Sequence, residues 1–275
     1  MSALQLASIS DQDTTEMGGR GSVLARQKRD HMRLGGLLRR LGDAPADDQP
    51  GLLLDIYRLV FPHAFAEEAI LWPVIRRVLP DGHQLTLQVE IEHQQINELV
   101  TALETMEPGS AAHRELMSRM IELLRQDVRD EEDILLPRLQ ARLTPVQLRL
   151  LGVAWEVVRA IAPTRAHPIV ARRPPGNILS ALPLALLDRF RDLVDSARAS
   201  GGASAPLLDS VGTALRKASH AVEHLPGMRR GEDPTTRVPA SGRDRRAAAF
   251  LCIGLASAAI LLASRRRRGG LSASG

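Results

Sequence analysis

Cysteine is almost absent from this 275-residue chain, which has a single one, Cys252, near its C-terminal end. One cysteine excludes an internal disulfide framework and any zinc site built on several cysteines, and it fits a reducing compartment. Aromatic residues are also scarce, at 3%. Strands favour aromatic and β-branched side chains, whereas the abundant Ala, Leu and Arg of this chain favour packed helices. We therefore expect an all-α protein.

The chain start lacks the features of a secretory signal. Its first twenty residues contain acidic side chains and no apolar core of seven residues. We expect residues 1–21 to be a flexible N-terminus and the domain that follows to stay in the cytoplasm. The formal net charge is +4, but the arginines are concentrated late in the chain rather than on a face of the first half, so no nucleic-acid partner is expected.

Four long segments between residues 22 and 143 repeat apolar side chains every three or four positions. Such spacing places one apolar stripe along a helix. The breaks between the segments are short, "GDAPADDQPG", "PDGH" and "EPGS", and short breaks between long helices imply antiparallel neighbours. Residues 22–143 are thus predicted to form an antiparallel up-down four-helix bundle.

The region after the bundle is less regular. Thr144 as an N-cap and Pro145 at the first helical position predict a fifth helix over 144–163. A proline-rich linker is expected over 164–177, followed by amphipathic helical segments over 178–225, which look peripheral or bind a protein partner. A polar linker over 226–246 follows.

Residues 247–263 form an uninterrupted apolar run of 17, "AAAFLCIGLASAAILLA", with arginines on both sides. As a helix it would span roughly 25 Å, just short of a hydrocarbon core of about 30 Å. We favour a transmembrane anchor over a buried core helix. The flanking arginines, including those of the basic tail 264–275, leave its orientation open.

Polar residues interrupt the apolar stripe of every bundle helix. Burying an unpaired carboxylate is costly, and a bound cation would offset that cost. His63 and Glu67 are four residues apart, as are Asp127 and Glu131, so the two members of each pair project from one helical face. The candidate metal ligands are His31, His63, Glu67, His93, Asp127 and Glu131, with Glu90 one turn before His93. The histidines at 83, 113 and 167 lie in breaks or at helix starts and need no functional explanation.

Two of these segments resemble each other. "HAFAEEAILWP" at 63–73 aligns with "DVRDEEDILLP" at 127–137, sharing Glu-Glu, Ile-Leu and a proline at matched offsets. This indicates an internal repeat of a site. The second acids of the pairs, Glu68 and Glu132, either bridge metals, orient histidine N–H groups, or face solvent.

Imidazole and carboxylate ligands together suit iron, manganese or zinc. A two-metal centre bridged by carboxylates is a frequent solution inside a four-helix bundle. The ligand types alone leave the metal open.

These motifs make the first 143 residues resemble a hemerythrin-like domain of the HHE cation-binding family. The resemblance rests on His31, "HAFAEEAILWP", "EIEH" and "DEEDILLP", and the tract "APTRAHP" followed by "PPGN" is similar to the stretch after the bundle in bacterial members. It implies a non-haem di-iron site with His-x-x-x-Glu from two helices. Asp127 departs from the pattern where a histidine is usual, and Val89 where some members have a second helix-three histidine.

The resemblance implies a protein that binds or senses O2, NO or iron through non-haem iron, most simply two ions, with peroxide handling as a further activity. With Asp127 the site would be richer in carboxylate or would hold one metal. The alternative is a membrane-associated helical scaffold whose metal site is degenerate.

Overall fold

The computed structural model describes residues 7–199 and 204–238, and every regular element in those ranges is helical. The all-α prediction is thus confirmed for the described part of the chain. Four helical rods form the bundle: α1 (Val23–Asp43), α2 (Gln49–Ala66) continuing into α3 (Trp72–Val78), α4 (Gly82–Leu103), and α5 (Ala111–Asp130) continuing into α6 (Leu136–Gln140). Contacts of α1 with α2 and α5, and of α4 with α3 and α5, close the four rods into a ring.

The bundle core is divided into two apolar clusters. One contains Leu24, Trp72 and Leu135, and the other contains Leu38 and Leu124. Each rod crosses from one cluster to the other, and the polar residues of its stripe lie between them. The bundle therefore carries a buried polar layer across its middle, at the level of the candidate ligands.

A π-helical turn interrupts each of the two long rods. The turns cover Glu67–Leu71 and Glu131–Leu135, and their widened hydrogen bonds run from Trp72 N–H to the Glu67 carbonyl and from Leu136 N–H to the Glu131 carbonyl. Each turn is followed two residues later by a proline, whose ring would clash with the carbonyl four residues earlier in a regular helix. The widened turn accommodates that proline, and such turns frequently occur at functional sites.

Residues 7–21 are packed against the bundle, in contrast to the flexible terminus expected there. Ile9 is fully buried and Met17 nearly so, both in the cluster around Trp72. The Ile9 N–H donates to the Glu132 carbonyl at 3.0 Å. Two apolar side chains and this hydrogen bond hold the segment in place.

Helix α7 (Pro145–Ala160) begins with the expected Thr144 cap and packs on α1, α2 and the first π turn. The segment 164–177, expected to be an extended linker, instead covers the bundle. Its residues Val170, Ala171 and Arg172 are buried. The reason is a set of hydrogen bonds to bundle residues, including the one from the His167 N–H to the Asn97 side chain at 2.9 Å.

Two further helices pair with each other, α8 (Gly176–Ala199) and α9 (Ala205–Glu223), and a short turn follows at Pro226–Arg229. No helix in residues 7–199 and 204–238 is long and apolar enough to cross a membrane. The predicted transmembrane run 247–263 and the basic tail 264–275 lie outside the described residues.

Candidate metal centre

The polar layer contains two buried groups of metal-binding side chains that share one carboxylate. In each group the ligand atoms lie within 4.8 Å of one another. The first group is His31, His63, Glu67 and Glu131; the second is His93, Asp127 and Glu131. Six of the seven residues predicted as ligands are thereby brought together.

Short distances connect the histidine Nε2 atoms with the carboxylates of the layer. His31 Nε2 lies 3.2 Å from Glu131 Oε2, and His63 Nε2 lies 3.1 Å from Glu67 Oε1. On the other side, His93 Nε2 is 3.5 Å from Asp127 Oδ1, 3.7 Å from Glu67 Oε2 and 3.9 Å from Glu131 Oε1. Glu67 and Glu131 thus face both groups, as bridging carboxylates do.

The carboxylates of this layer lack the hydrogen bonds that burial normally demands. Within the described residues, both oxygens of Glu67, both of Glu131 and Oδ1 of Asp127 are buried and make no hydrogen bond. The histidine Nε2 atoms lie near these oxygens but outside hydrogen-bonding geometry. A buried charge is costly unless it is both paired and hydrogen-bonded or coordinates a metal. Three imidazoles and three carboxylates are a donor set that suits iron. The residues present therefore fit a metal centre of this kind.

The acids and imidazoles of the layer lie close together and are buried, and both conditions shift their pKa values. Burial works against the charged form of His31, but the carboxylates of Glu131 and Glu132 outweigh it and raise the His31 pKa to about 10. Burial raises the pKa of Asp127 well above its ordinary value, and the nearby carboxylates add to that rise. Without a metal the layer therefore retains protons, which binding of a cation would release.

An outer carboxylate holds the second nitrogen of each histidine. The Nδ1 atoms of His31, His63 and His93 lie 2.9 Å from Glu132, 3.2 Å from Asp30 and 3.0 Å from Glu68, respectively. Such contacts fix the imidazole orientation and leave Nε2 for the metal. Of the alternatives open for Glu68 and Glu132, this geometry matches the orienting role. Asp30 was missed, because nothing in the sequence connects it with a histidine 33 residues later.

Glu90 lies apart from the metal-binding groups, contrary to the expectation that it is a ligand. Its fully buried carboxylate pairs with Arg76 of α3 and accepts from Arg173 Nε at 2.8 Å. Two arginines neutralise it, so no cation is required there. Its spacing from His93 predicted a shared helix face, but the arginines that bind it come from elsewhere in the chain.

The site adjoins a small cavity and both tryptophans of the chain. The cavity has a volume of about 20 Å³ and is lined by the three histidines, by Asp30 and Asp127, and by apolar side chains. This is enough for one water-sized molecule. Trp155 of α7 packs edge-on against His63 with ring centroids 5.4 Å apart, and Trp72 lies 6.3 Å from His93. Both indoles are fully buried and exclude water.

Comparisons with known proteins agree with this geometry. The family model of the hemerythrin HHE cation binding domain matches residues 22–139. An uncharacterized hemerythrin-like protein of Schizosaccharomyces pombe is 22% identical over 134 residues, which is 48% of this chain and 66% of that relative. The chain therefore spans just under two thirds of that relative's length. No solved structure matches the chain. The residues that this family model matches, 22–139, contain all six clustered ligands.

Proposed function

We propose that this domain binds two non-haem iron ions and, through them, a diatomic ligand, O2 or NO. The observation that carries the proposal is the pair of buried ligand groups sharing Glu131, whose carboxylate oxygens have no hydrogen bond in the described part of the chain. Manganese or zinc would satisfy the same donors. The small cavity favours a diatomic ligand over a larger substrate.

Each part of the layer has a distinct task in this proposal. The Nε2 atoms of the three histidines and the carboxylates of Asp127, Glu67 and Glu131 would hold the metals. The outer acids orient the imidazoles, and the indoles with the apolar cavity wall keep water out. Bound iron would supply the redox chemistry and an open coordination position for the ligand. Sensing of that ligand and peroxide handling stay predictions from the sequence.

The position of Asp127 supports this function over a scaffold with a degenerate site. Its Oδ1 lies 3.5 Å from His93 Nε2 and, among the described residues, makes no hydrogen bond. This supports a ligand role, because a carboxylate that only replaced a lost histidine would gain by turning to a hydrogen-bond donor. The resulting centre would be richer in oxygen ligands and so lower in potential.

We also propose that the domain faces the cytoplasm and is attached to the membrane through the apolar run 247–263. The support is the sequence alone: 17 apolar residues between arginine clusters. A protein partner for 178–225 stays a prediction from the sequence.

The iron function is tested by metal content and the visible spectrum of the purified full chain, before and after reduction and exposure to O2 or NO. We expect His63→Ala to lose most of the iron and the spectral response. His83→Ala is the matched control, since His83 is exposed on the start of α4. A native chain that binds no iron, or an unchanged spectrum in His63→Ala, would leave the scaffold alternative.

A further inference from the structure

Large apolar side chains cover the outward face of α8. Six of them are at least half exposed: Ile178, Leu179, Leu182, Leu186, Phe190 and Leu193. The buried face of the same helix mixes apolar and polar residues: Ala181, Leu184 and Ala185 with Asn177, Ser180 and Asp188. The outward face of a surface helix in water is normally polar. The outward face of α8 is therefore built for an apolar neighbour.

Buried polar contacts fix this orientation of α8. The Asp188 carboxylate accepts from the backbone N–H groups of Thr164 and Arg165 at 2.9 and 3.0 Å, and it lies 3.0 Å from His167 Nε2. Rotating the helix to hide its apolar face would break these interactions and leave a buried carboxylate unpaired. The exposed apolar face is therefore a fixed feature of the fold.

Exposed large apolar side chains are concentrated outside the bundle. Within residues 7–199 and 204–238, only two of the strongly exposed large apolar residues, Met32 and Ile134, belong to the four rods, and the rest lie on α7, α8 and α9 or directly after α7. The bundle surface is thus ordinary for a protein in water, and the unusual surface belongs to the appended helices.

The described chain ends beside α8. The turn Pro226–Arg229 packs against this helix, and Arg229 Nη2 donates to the Val238 carbonyl at 2.7 Å. Beyond Val238 come eight residues, three of them arginines, and then the apolar run 247–263. Eight extended residues reach at most about 26–29 Å, and the apolar stripe from Ile178 to Leu193 is roughly 22 Å long. The start of the apolar run can therefore reach the membrane surface on the side of α8.

We propose that α8 lies flat on a lipid bilayer, with its apolar face in the boundary between headgroups and acyl chains. This inference rests on the proposed membrane attachment through 247–263. Helices with one strongly apolar face bind membranes in this orientation. The arginines before the run, at 243, 245 and 246, would contact anionic headgroups on the same side. A lipid surface covers the whole stripe without any partner protein.

Site-directed fluorescence on the full chain tests the arrangement. Because Cys252 is the single cysteine, Cys252→Ser provides a background in which Leu186→Cys carries an environment-sensitive dye. Ser118→Cys, on the exposed side of α5, is a nearly isosteric control. Both proteins are reconstituted in phosphatidylcholine–phosphatidylglycerol vesicles and isolated by flotation. We expect iodide quenching to be several-fold weaker at position 186 than at 118, and doxyl-labelled lipid to quench only position 186.

The alternatives give different results. Equal iodide access at both positions in floated vesicles would overturn the placement of α8 and leave the anchor standing. Protection from iodide without quenching by doxyl lipid would overturn it in favour of a protein occupant, either a second copy or the run 247–263. Lipid quenching at 118 as well would indicate unspecific adsorption and also overturn it. A chain that does not float would refute both the anchor and the placement, whereas the iron content of the same preparation reports separately on the metal centre.

Discussion

His93 of the metal-binding layer donates through Nδ1 towards the Glu68 carboxylate, 3.0 Å away. The guanidinium of Arg172 lies 3.8 Å from the same carboxylate oxygen. Arg172 is outside the matched family domain, in the segment that follows α7. Through this contact a residue of the appended region reaches the hydrogen-bond partner of the candidate ligand His93.

Replacing Arg172 by Gln should lower the reduction potential of bound iron. A cation beside Glu68 weakens that carboxylate as an acceptor, so its loss makes the His93 imidazole a stronger donor and favours ferric iron. We expect a shift of up to about 59 mV, which is tenfold in the one-electron equilibrium. Potentiometric titration of the loaded protein measures it.

Arg173→Gln is the control for this prediction. Arg173 binds the buried Glu90 and so is comparably important for the packing of the same segment, but Glu90 is not part of the metal-binding groups. Equal shifts in both variants would mean that loosening of the segment, rather than the charge near Glu68, is responsible. Arg172→Lys should retain most of the native potential.

Asp127→Ala should reduce the iron content from about two ions to about one per chain. The group with His31 and His63 keeps all its ligands, whereas the other retains only His93 and the shared carboxylate. Asp130→Ala, three residues away and hydrogen-bonded to Gln126, should keep both ions. Iron analysis and Mössbauer spectra distinguish the two states, and an unchanged content in Asp127→Ala would argue against a ligand role.

The sequence predicted local features of the bundle better than its long-range pairings. The Thr144 cap and the apolar spacing follow from contacts within a few residues, and the structure has this cap. The Glu-Glu repeat pointed to Glu67 and Glu131 but gave no sign of the π turns, since periodicity assumes regular helices.

The sequence did not predict side-chain contacts between segments that are far apart along the chain. Asp30 beside His63, and Arg172 beside Glu68, depend on tertiary packing that spacing along one helix does not reveal. The error at Glu90 has the same origin, because its arginine partners lie 14 residues before it and 83 residues after it. The sequence indicated no role for His167, yet the structure buries it between the carboxylates of Asp188 and Glu223.

His167 should make stability depend on pH in the alkaline range. Burial opposes its charged form, but Asp188 and Glu223 outweigh that and raise the His167 pKa to about 10, above its ordinary value of 6.5. The stabilisation is therefore complete below about pH 6.5 and is lost as pH rises through about 10. We expect His167→Asn to lower the free energy of unfolding by about 3 kcal/mol at pH 6, and the difference from the native chain to shrink towards pH 10.

Urea unfolding of both proteins at a series of pH values tests this. His83→Asn is a control at an exposed histidine and should follow the native chain throughout. A difference that stays constant from pH 6 to pH 10 would show that His167 acts through packing alone.

Iron binding should quench most of the tryptophan fluorescence. The chain has only two tryptophans, and Trp72 and Trp155 each pack on a histidine of the metal-binding layer. Both indoles are thus close enough to a bound iron ion for efficient quenching, and removal of the metal with a chelator should restore the emission.

Single-tryptophan variants test each indole separately. In Trp72→Phe only the indole beside His63 remains, and in Trp155→Phe only the one beside His93. The two ligand groups share Glu131, so each indole lies close to any iron bound in the layer, and we expect ferrous iron to quench the emission of both variants. His63→Ala, which should lose most of the iron, should retain its emission. Emission that ferrous iron leaves unchanged in either tryptophan variant would contradict a metal centre in this layer.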